Sequence, residues 1–179
     1  MKLETLSRQP TLIANRFELR PPKPSDKGAL ELHAGDERVA RMTRTIPHPL
    51  PPGAADALIE RALSSDRVED LWIMDGTKSG MGEVLGVVGL ERMDRSQCEI
   101  AYWVVPGLWG TGIATEAVKT ILEANPLASS TVFAAVFHDN PASARVLTNL
   151  GFDYLGDAEY YSVARGAQVP TWTYLRRLK

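Results

Sequence analysis

The stretch Pro106-Gly107-Leu108-Trp109-Gly110-Thr111-Gly112-Ile113-Ala114-Thr115-Glu116-Ala117 joins an extended apolar run to an amphipathic helix through closely spaced glycines. Upstream, Ile100, Ala101, Tyr102, Trp103, Val104 and Val105 are β-branched, aromatic or small, and Pro106 ends the strand by removing a ladder donor. Downstream, Ile113, Ala114, Ala117, Val118, Ile121 and Leu122 recur at helical spacing, which predicts one buried stripe. The first amides of such a helix have no intrahelical acceptor and lie at the positive end of its dipole. An anion there gains hydrogen bonds and a favourable field, and Gly110 and Gly112 let it approach the backbone. The segment reads as a diphosphate cradle.

The spacing separates the candidate ligands. A dinucleotide fold wants a third glycine where Thr115 stands, and a nucleoside-triphosphate loop wants Lys followed by Ser or Thr after the second glycine. Neither pattern is present. The segment instead resembles the Gln/Arg-x-x-Gly-x-Gly/Ala signature of the GCN5-related N-acetyltransferase (GNAT) superfamily, with Trp109, Gly112 and Ala114 at the first, fourth and sixth positions. Trp109 departs from it, offering an indole donor and an apolar face in place of a polar side chain. A glycine-softened turn before a core helix is the plain alternative.

A second segment, Phe137-His138-Asp139-Asn140-Pro141-Ala142-Ser143-Ala144-Arg145-Val146-Leu147-Thr148-Asn149-Leu150-Gly151-Phe152, follows an apolar run from Thr131 that reads as a buried strand. Asn140 suits an N-cap, Pro141 the first helical position and Gly151 the left-handed residue past the end. Its Asn-x-x-Ser-x-x-x-Leu-x-x-x-Gly-Phe pattern is similar to a block of the same superfamily, in the variant of the ribosomal-protein N-terminal acetyltransferases. The resemblance implies that Asn140 touches the pantetheine arm of coenzyme A and that Ser143 faces the reacting thioester. Capping alone also accounts for Asn140.

Composition bounds the partners. A 179-residue chain with 44% hydrophobic residues fits one domain with a proper core, residues 11–179, after a loose N-terminus of residues 1–10. Twenty Lys and Arg against 22 Asp and Glu leave a net charge of −2, so no global basic field holds nucleic acid or an acidic membrane. An anionic ligand must then be bound by local amides. A single cysteine, Cys98, excludes an intrachain disulfide and a four-cysteine zinc site, and three scattered histidines give a metal centre little support. No apolar run is long enough for a membrane span, and Met1-Lys2-Leu3-Glu4 does not open a signal peptide; the expected compartment is the cytoplasm. A homodimer is the assembly carried forward.

From Leu12 the patterns predict a strand to Arg20, a helix to about Asp36, a proline-rich loop over Arg41 to Pro52 and a helix over Ala54 to Leu63. Strands Leu71 to Met74, Val84 to Glu91 and Cys98 to Val105 follow as an antiparallel meander. The cradle helix, strand Thr131 to Phe137, the short helix, and strands Tyr154 to Val163 and Val169 to Leu178 complete the order. It coincides with the GNAT topology. The resemblance implies an α/β (α+β) fold with a mixed central sheet of about seven strands, mostly antiparallel and splayed at the cofactor site, flanked by about four helices.

The chemistry implied is acetyl transfer from acetyl-coenzyme A to a primary amine, which needs a base for the ammonium, a donor for the developing oxyanion and relief for the leaving thiolate. Glu99, at the start of the central strand, is where the family often carries its base. The backbone of Trp103, Val104 and Val105 would contact the cofactor, with the Val104 amide as oxyanion donor near a bulge found in many relatives. The amides of Trp109, Gly110, Thr111, Gly112, Ile113, Ala114 and Thr115 would take the diphosphate. Many relatives carry a general-acid Tyr seven residues after the Asn; here Leu147 stands there and Ser143 takes its place as candidate. The acceptor is a protein N-terminal α-amine or a small-molecule amine, and Arg41, Arg44 and His48 are candidates to recognise it. The competing class is a noncatalytic acyl-coenzyme A-binding or sensing module, favoured by the missing Tyr.

Overall fold

An eight-stranded sheet in the order β1-β2-β3-β4-β5-β6-β8-β7 forms the centre of the computed structural model, which describes residues 9–179. Of the loose terminus expected for residues 1–10, residues 1–8 lie outside the described residues. Gln9 and Pro10 are held, since Gln9 Nε2 donates to Leu71 O at 2.5 Å and Trp72 Nε1 donates to Pro10 O at 2.8 Å.

The sheet has one strand more than expected because the stretch read as a single strand is two, β1 (Leu12–Ile13) and β2 (Glu18–Arg20). The chain reverses between them, with Ala14 N–H donating to Phe17 O at 3.0 Å. There are also five α-helices rather than four. Helix α1 (Lys27–Ala34) stops at Gly35, where a β-carbon would lie 2.6 Å from Glu31 O, and Asp36 then caps the extra turn α2 (Glu37–Ala40) through Arg38 N–H. Helix α3 (Ala54–Leu63) precedes the meander β3 (Glu69–Asp75), β4 (Gly86–Met93) and β5 (Gln97–Val104). Then come α4 (Ile113–Ala124), β6 (Thr131–Phe137), α5 (Pro141–Asn149), β7 (Asp153–Ser162) and β8 (Ala167–Arg177).

Strand alternation sorts the core into two layers. Cys98, Ile100 and Val104 of β5 face α4 and α5, where they pack with Ile113, Ala117, Ile121 and Leu147. On the other face Ile73 and Val87 pack with Leu30 of α1 and Ile59 of α3. A run from β5 to a parallel partner requires a long crossover, which α4 supplies.

That crossover creates the opening that matters. β5 and β6 are parallel and pair only at Gln97↔Thr131, Cys98↔Val132 and Glu99↔Phe133. Beyond Glu99, β5 stays with β4 as far as Gly86↔Val104, while β6 stays with β8 as far as Phe137↔Thr171. The two strands diverge, and the sheet splits between them. The β4–β5 register runs without a shift, so the bulge expected near Val104 is not part of this strand.

Candidate active site

A cavity of about 540 Å³ lies at the split, lined by Tyr102 and Val104 of β5, by the turn before α4, and by Asn140 and Ser143 of α5. Gly110 and Gly112 both adopt positive φ, +75° and +81°, which side chains disfavour. A β-carbon on Gly110 would meet nothing within 4 Å, so the space over it is open. Gly112 is the N-cap of α4 and carries no side-chain cap. The first helical bond runs from Glu116 N–H to Gly112 O at 3.1 Å, leaving the N–H groups of Ile113, Ala114 and Thr115 without helical acceptors. Open space, glycine backbone and unspent amides together fit a phosphate group.

Arg16, in the turn between β1 and β2, buttresses this cradle from behind. Its Nε and backbone N–H donate to the Glu116 carboxylate at 2.7 and 2.8 Å, and its Nη1 donates to Thr111 O at 3.0 Å. In a trans peptide the carbonyl and the following N–H point in opposite directions. Gripping Thr111 O therefore turns the Gly112 N–H away from Arg16. The same guanidinium neutralises Glu116, an acid in the first turn of α4 that would otherwise repel an anion.

Trp109 turns back on the strand. Its indole Nε1 donates to Val104 O at 2.7 Å and its backbone N–H donates to Pro106 O at 3.1 Å, so its half-exposed ring face is what it offers a ligand. Val105 N–H donates to Leu85 O at 2.9 Å. Backbone groups alternate along a strand, so those of Val104 face the other way, its O toward Trp109 and its N–H toward the split.

Asn140 caps α5 loosely, its Oδ1 accepting from Ser143 N–H at 3.4 Å, while no partner is found for its Nδ2 among the described residues. That leaves a donor beside the cavity. Ser143 Oγ lies 2.8 Å from Tyr102 OH, and Leu147 is buried in the core.

Glu99 is apart from this group. It projects from the face of β5 opposite to Tyr102 and does not line the cavity; five residues of strand, about 16 Å, separate it from Val104. Its carboxylate pairs with Arg44, whose guanidinium lies 4.4 Å from the Tyr160 ring centre. Burial pushes the Glu99 carboxyl above the usual range and Glu91 adds to this, whereas Arg44 opposes the rise. Of the other loop candidates, Arg41 stands 3.6 Å from Asp139, and His48 is exposed. Arg165, at the β7–β8 turn, also binds Asp139, with Nη1 and Nη2 at 2.8 and 3.0 Å from its carboxylate oxygens, and donates to Arg41 O at 2.9 Å. That pairing holds the Asp139 carboxyl below its ordinary range.

Three participants escaped the sequence. Tyr102 looked like any strand aromatic, although alternation places it on the α5 side. Arg16 lies about a hundred residues from the cradle it supports, and Arg165 has no local motif. Among the described residues no group of three or more His, Cys, Asp or Glu is placed to hold a metal, and no helix is long and apolar enough to cross a membrane.

Residues 16–153 match the family model described as an acetyltransferase (GNAT) domain. The chain belongs to the GNAT acetyltransferases. An uncharacterized N-acetyltransferase of Bacillus subtilis (strain 168), YoaA, is 30% identical over 96 residues, 51% of this GNAT chain and 54% of the relative. The match thus spans about half the length of that curated relative. Among solved structures, the microcin C7 self-immunity acetyltransferase MccE in complex with acetyl-CoA and AMP superposes with a TM-score of 0.78 at 15% identity, covering 92% of this chain and 93% of its own. Mycobacterium smegmatis RimJ in complex with CoA-disulfide gives 0.79 at 19% identity, covering 94% and 88%. These neighbours share the fold.

Proposed function

We propose that residues 11–179 act as one N-acetyltransferase domain that moves the acetyl group of acetyl-coenzyme A directly to a primary amine, with a protein N-terminal α-amine as the favoured acceptor and a small-molecule amine as the second. The observation that carries this reading is the opening between β5 and β6, flanked by the Gly110–Gly112 cradle and by the free amide donor of Asn140. In the reading, the amides from Gly110 to Thr115 hold the diphosphate and Asn140 holds the pantetheine arm. The N–H of Val104 donates to the thioester oxygen as negative charge develops there, with Trp103 and Val105 keeping the backbone in place. The exposed face of Trp109 lies along the ligand. The thioester supplies an activated acetyl group. Solved neighbours with acetyl-CoA or CoA-disulfide bound support the choice of cosubstrate.

Glu99 accepts the ammonium proton through water in this scheme, because its side chain leaves β5 on the face away from Tyr102. The rise of its carboxyl by burial makes it a better base. Ser143 is the donor to the leaving sulfur. The α-amine acceptor is supported by the likeness of the Asn140-to-Phe152 block to the ribosomal-protein branch, and by the weak demand that an α-amine places on a remote base. A noncatalytic sensor draws on one observation, the closure of Glu99 by Arg44. Thiol release from acetyl-coenzyme A in the presence of peptide N-termini, polyamines and amino acids, beside calorimetry of coenzyme A binding, separates the two. Release with at least one amine is expected; tight binding with no release from any acceptor refutes the transferase.

A further inference from the structure

Tyr102 leaves β5 on the side of Ile100 and Val104, and its ring crosses the gap that opens where β6 turns away, reaching the first turn of α5. Two oxygens of Ser143 meet its hydroxyl there, Oγ at 2.8 Å and the backbone O at 3.2 Å. The phenol has one proton to give. Donated to the carbonyl, it would leave the Ser143 hydroxyl pointing back at Tyr102; donated to Oγ, it leaves the Ser143 proton free to turn into the cavity. The shorter contact is the one to Oγ. No side chain at 147 competes for this task, since Leu147 is apolar and fully buried.

We infer that Tyr102 is a positioning residue for the acyl transfer: by donating to Ser143 Oγ it aims and polarises the Ser143 hydroxyl toward the sulfur of the leaving thiol. The inference rests on the transferase reading above. As the C–N bond to the acceptor forms, the C–S bond breaks and the electron pair goes to sulfur. The acceptor nitrogen gives its proton to solvent by way of the base. Ser143 O–H donates a hydrogen bond to the sulfur anion, Tyr102 O–H donates to Ser143 Oγ, and the anion takes its proton from solvent, so both hydroxyls end as they began. Burial pushes the Tyr102 phenol up to about 12, far above a thiol near about 8.5, so complete transfer of its proton to sulfur would run uphill. Tyr102 contributes a fixed hydrogen bond rather than a proton. In a low-dielectric gap, a chain of two donors strengthens the one that touches charge.

The test compares wild type, Tyr102→Phe, Ser143→Ala and the double variant. Steady-state rates with acetyl-coenzyme A are joined to calorimetry with coenzyme A and with desulfo-coenzyme A, which lacks the thiol, on either side of the thiol's ordinary value near about 8.5. In Tyr102→Phe, kcat is expected to fall about tenfold with KM unchanged, as for loss of one hydrogen bond to a charged acceptor's partner. Wild type should prefer coenzyme A to desulfo-coenzyme A more strongly at the alkaline pH. Tyr102→Phe should lose that gain and bind desulfo-coenzyme A as wild type does, a signature that mere packing damage would not produce. The double variant should be no slower than Ser143→Ala. Should Tyr102→Phe fold poorly by its melting temperature, Ser143→Ala carries the same comparison from the helix side. A wild-type rate and an unchanged alkaline preference in Tyr102→Phe overturn the inference, as do losses that multiply in the double variant. A wild type that releases no thiol with any amine overturns the transferase reading and this inference with it.

Discussion

Replacing Glu99 by Gln removes a proton acceptor while keeping the side-chain shape, and the size of the loss reports the acceptor. At pH 7 an α-amine near about 7.7–8 is already about a tenth neutral, so a base that does nothing but secure the neutral amine gains about tenfold at most. A lysine-type amine near about 10.4 is neutral in fewer than about one molecule in a thousand, and the same base then gains about 10³-fold. Direct general-base catalysis spans about 10²–10⁴-fold. Glu99 points away from Tyr102 and is paired with Arg44, and the proposed reading gives it a water-relayed role. The expectation is therefore a loss of about tenfold in kcat/KM for a peptide N-terminus at pH 7, shrinking toward none about two pH units higher, with coenzyme A affinity unchanged.

The same variant has a pH signature. Burial raises the Glu99 carboxyl above its unfolded value, so between the two values the native state binds the proton that the unfolded chain releases. Stability then falls as pH rises through that window, and Glu99→Gln should flatten this slope. In rate profiles, the acid limb of wild-type kcat/KM should lie above about 4.3, the ordinary glutamate value, and in the variant it should move up to the amine's own value near about 7.7–8. Arg44 keeps the Tyr160 ring, so the stability cost of losing this half-buried pair is about 1 kcal/mol, a melting shift of about 2–4 °C for a chain of this size. Wild-type kcat/KM with the acid limb intact in Glu99→Gln would leave the carboxylate only its pairing with Arg44 and refute the reasoning.

Gly110→Asp places a like charge and a side chain in the open space over a position with φ +75°, and coenzyme A affinity should drop far more than thermal stability; unchanged affinity in calorimetry would remove the cradle assignment. Arg16→Ala frees the Thr111 carbonyl and strips Glu116 of its guanidinium, so the KM for acetyl-coenzyme A should rise about tenfold, the equivalent of about 1.4 kcal/mol, while turnover of acetyl-pantetheine, which has no diphosphate, stays put. Equal losses for both thioesters would make Arg16 a general fold contact. Asn140→Ala loses a long cap of 3.4 Å, a cost at the low end of about 0.5–2 kcal/mol, whereas Asn140→Asp keeps the cap and replaces the free amide by an anion. Coenzyme A affinity should fall in the Asp variant although its melting temperature holds; tight binding there would reduce Asn140 to a cap.

What the sequence disclosed was local. The Pro106-to-Ala117 and Asn140-to-Gly151 segments carry their own stop and start signals, so the start of α4 and both ends of α5 fell within a residue of the reading, and β6 matched it throughout. The reversal at Ala14 to Phe17 and the extra turn after Asp36 were missed because neither interrupts the apolar pattern strongly enough to show in periodicity. The side of a strand was equally legible in principle: alternation from Cys98 places Tyr102 on the face toward α4 and α5 and Glu99 on the opposite face. What alternation cannot supply is a partner. Arg16 meets Glu116, Arg44 meets Glu99 and Arg165 meets Asp139 only after the sheet has brought distant turns together, and each of these pairs settles what its carboxylate is free to do. For Glu99 this changes the chemistry. A carboxylate read as an available base is one paired with Arg44 of the 41–52 loop, so in the proposed reading its service as a base depends on release from that single ion pair.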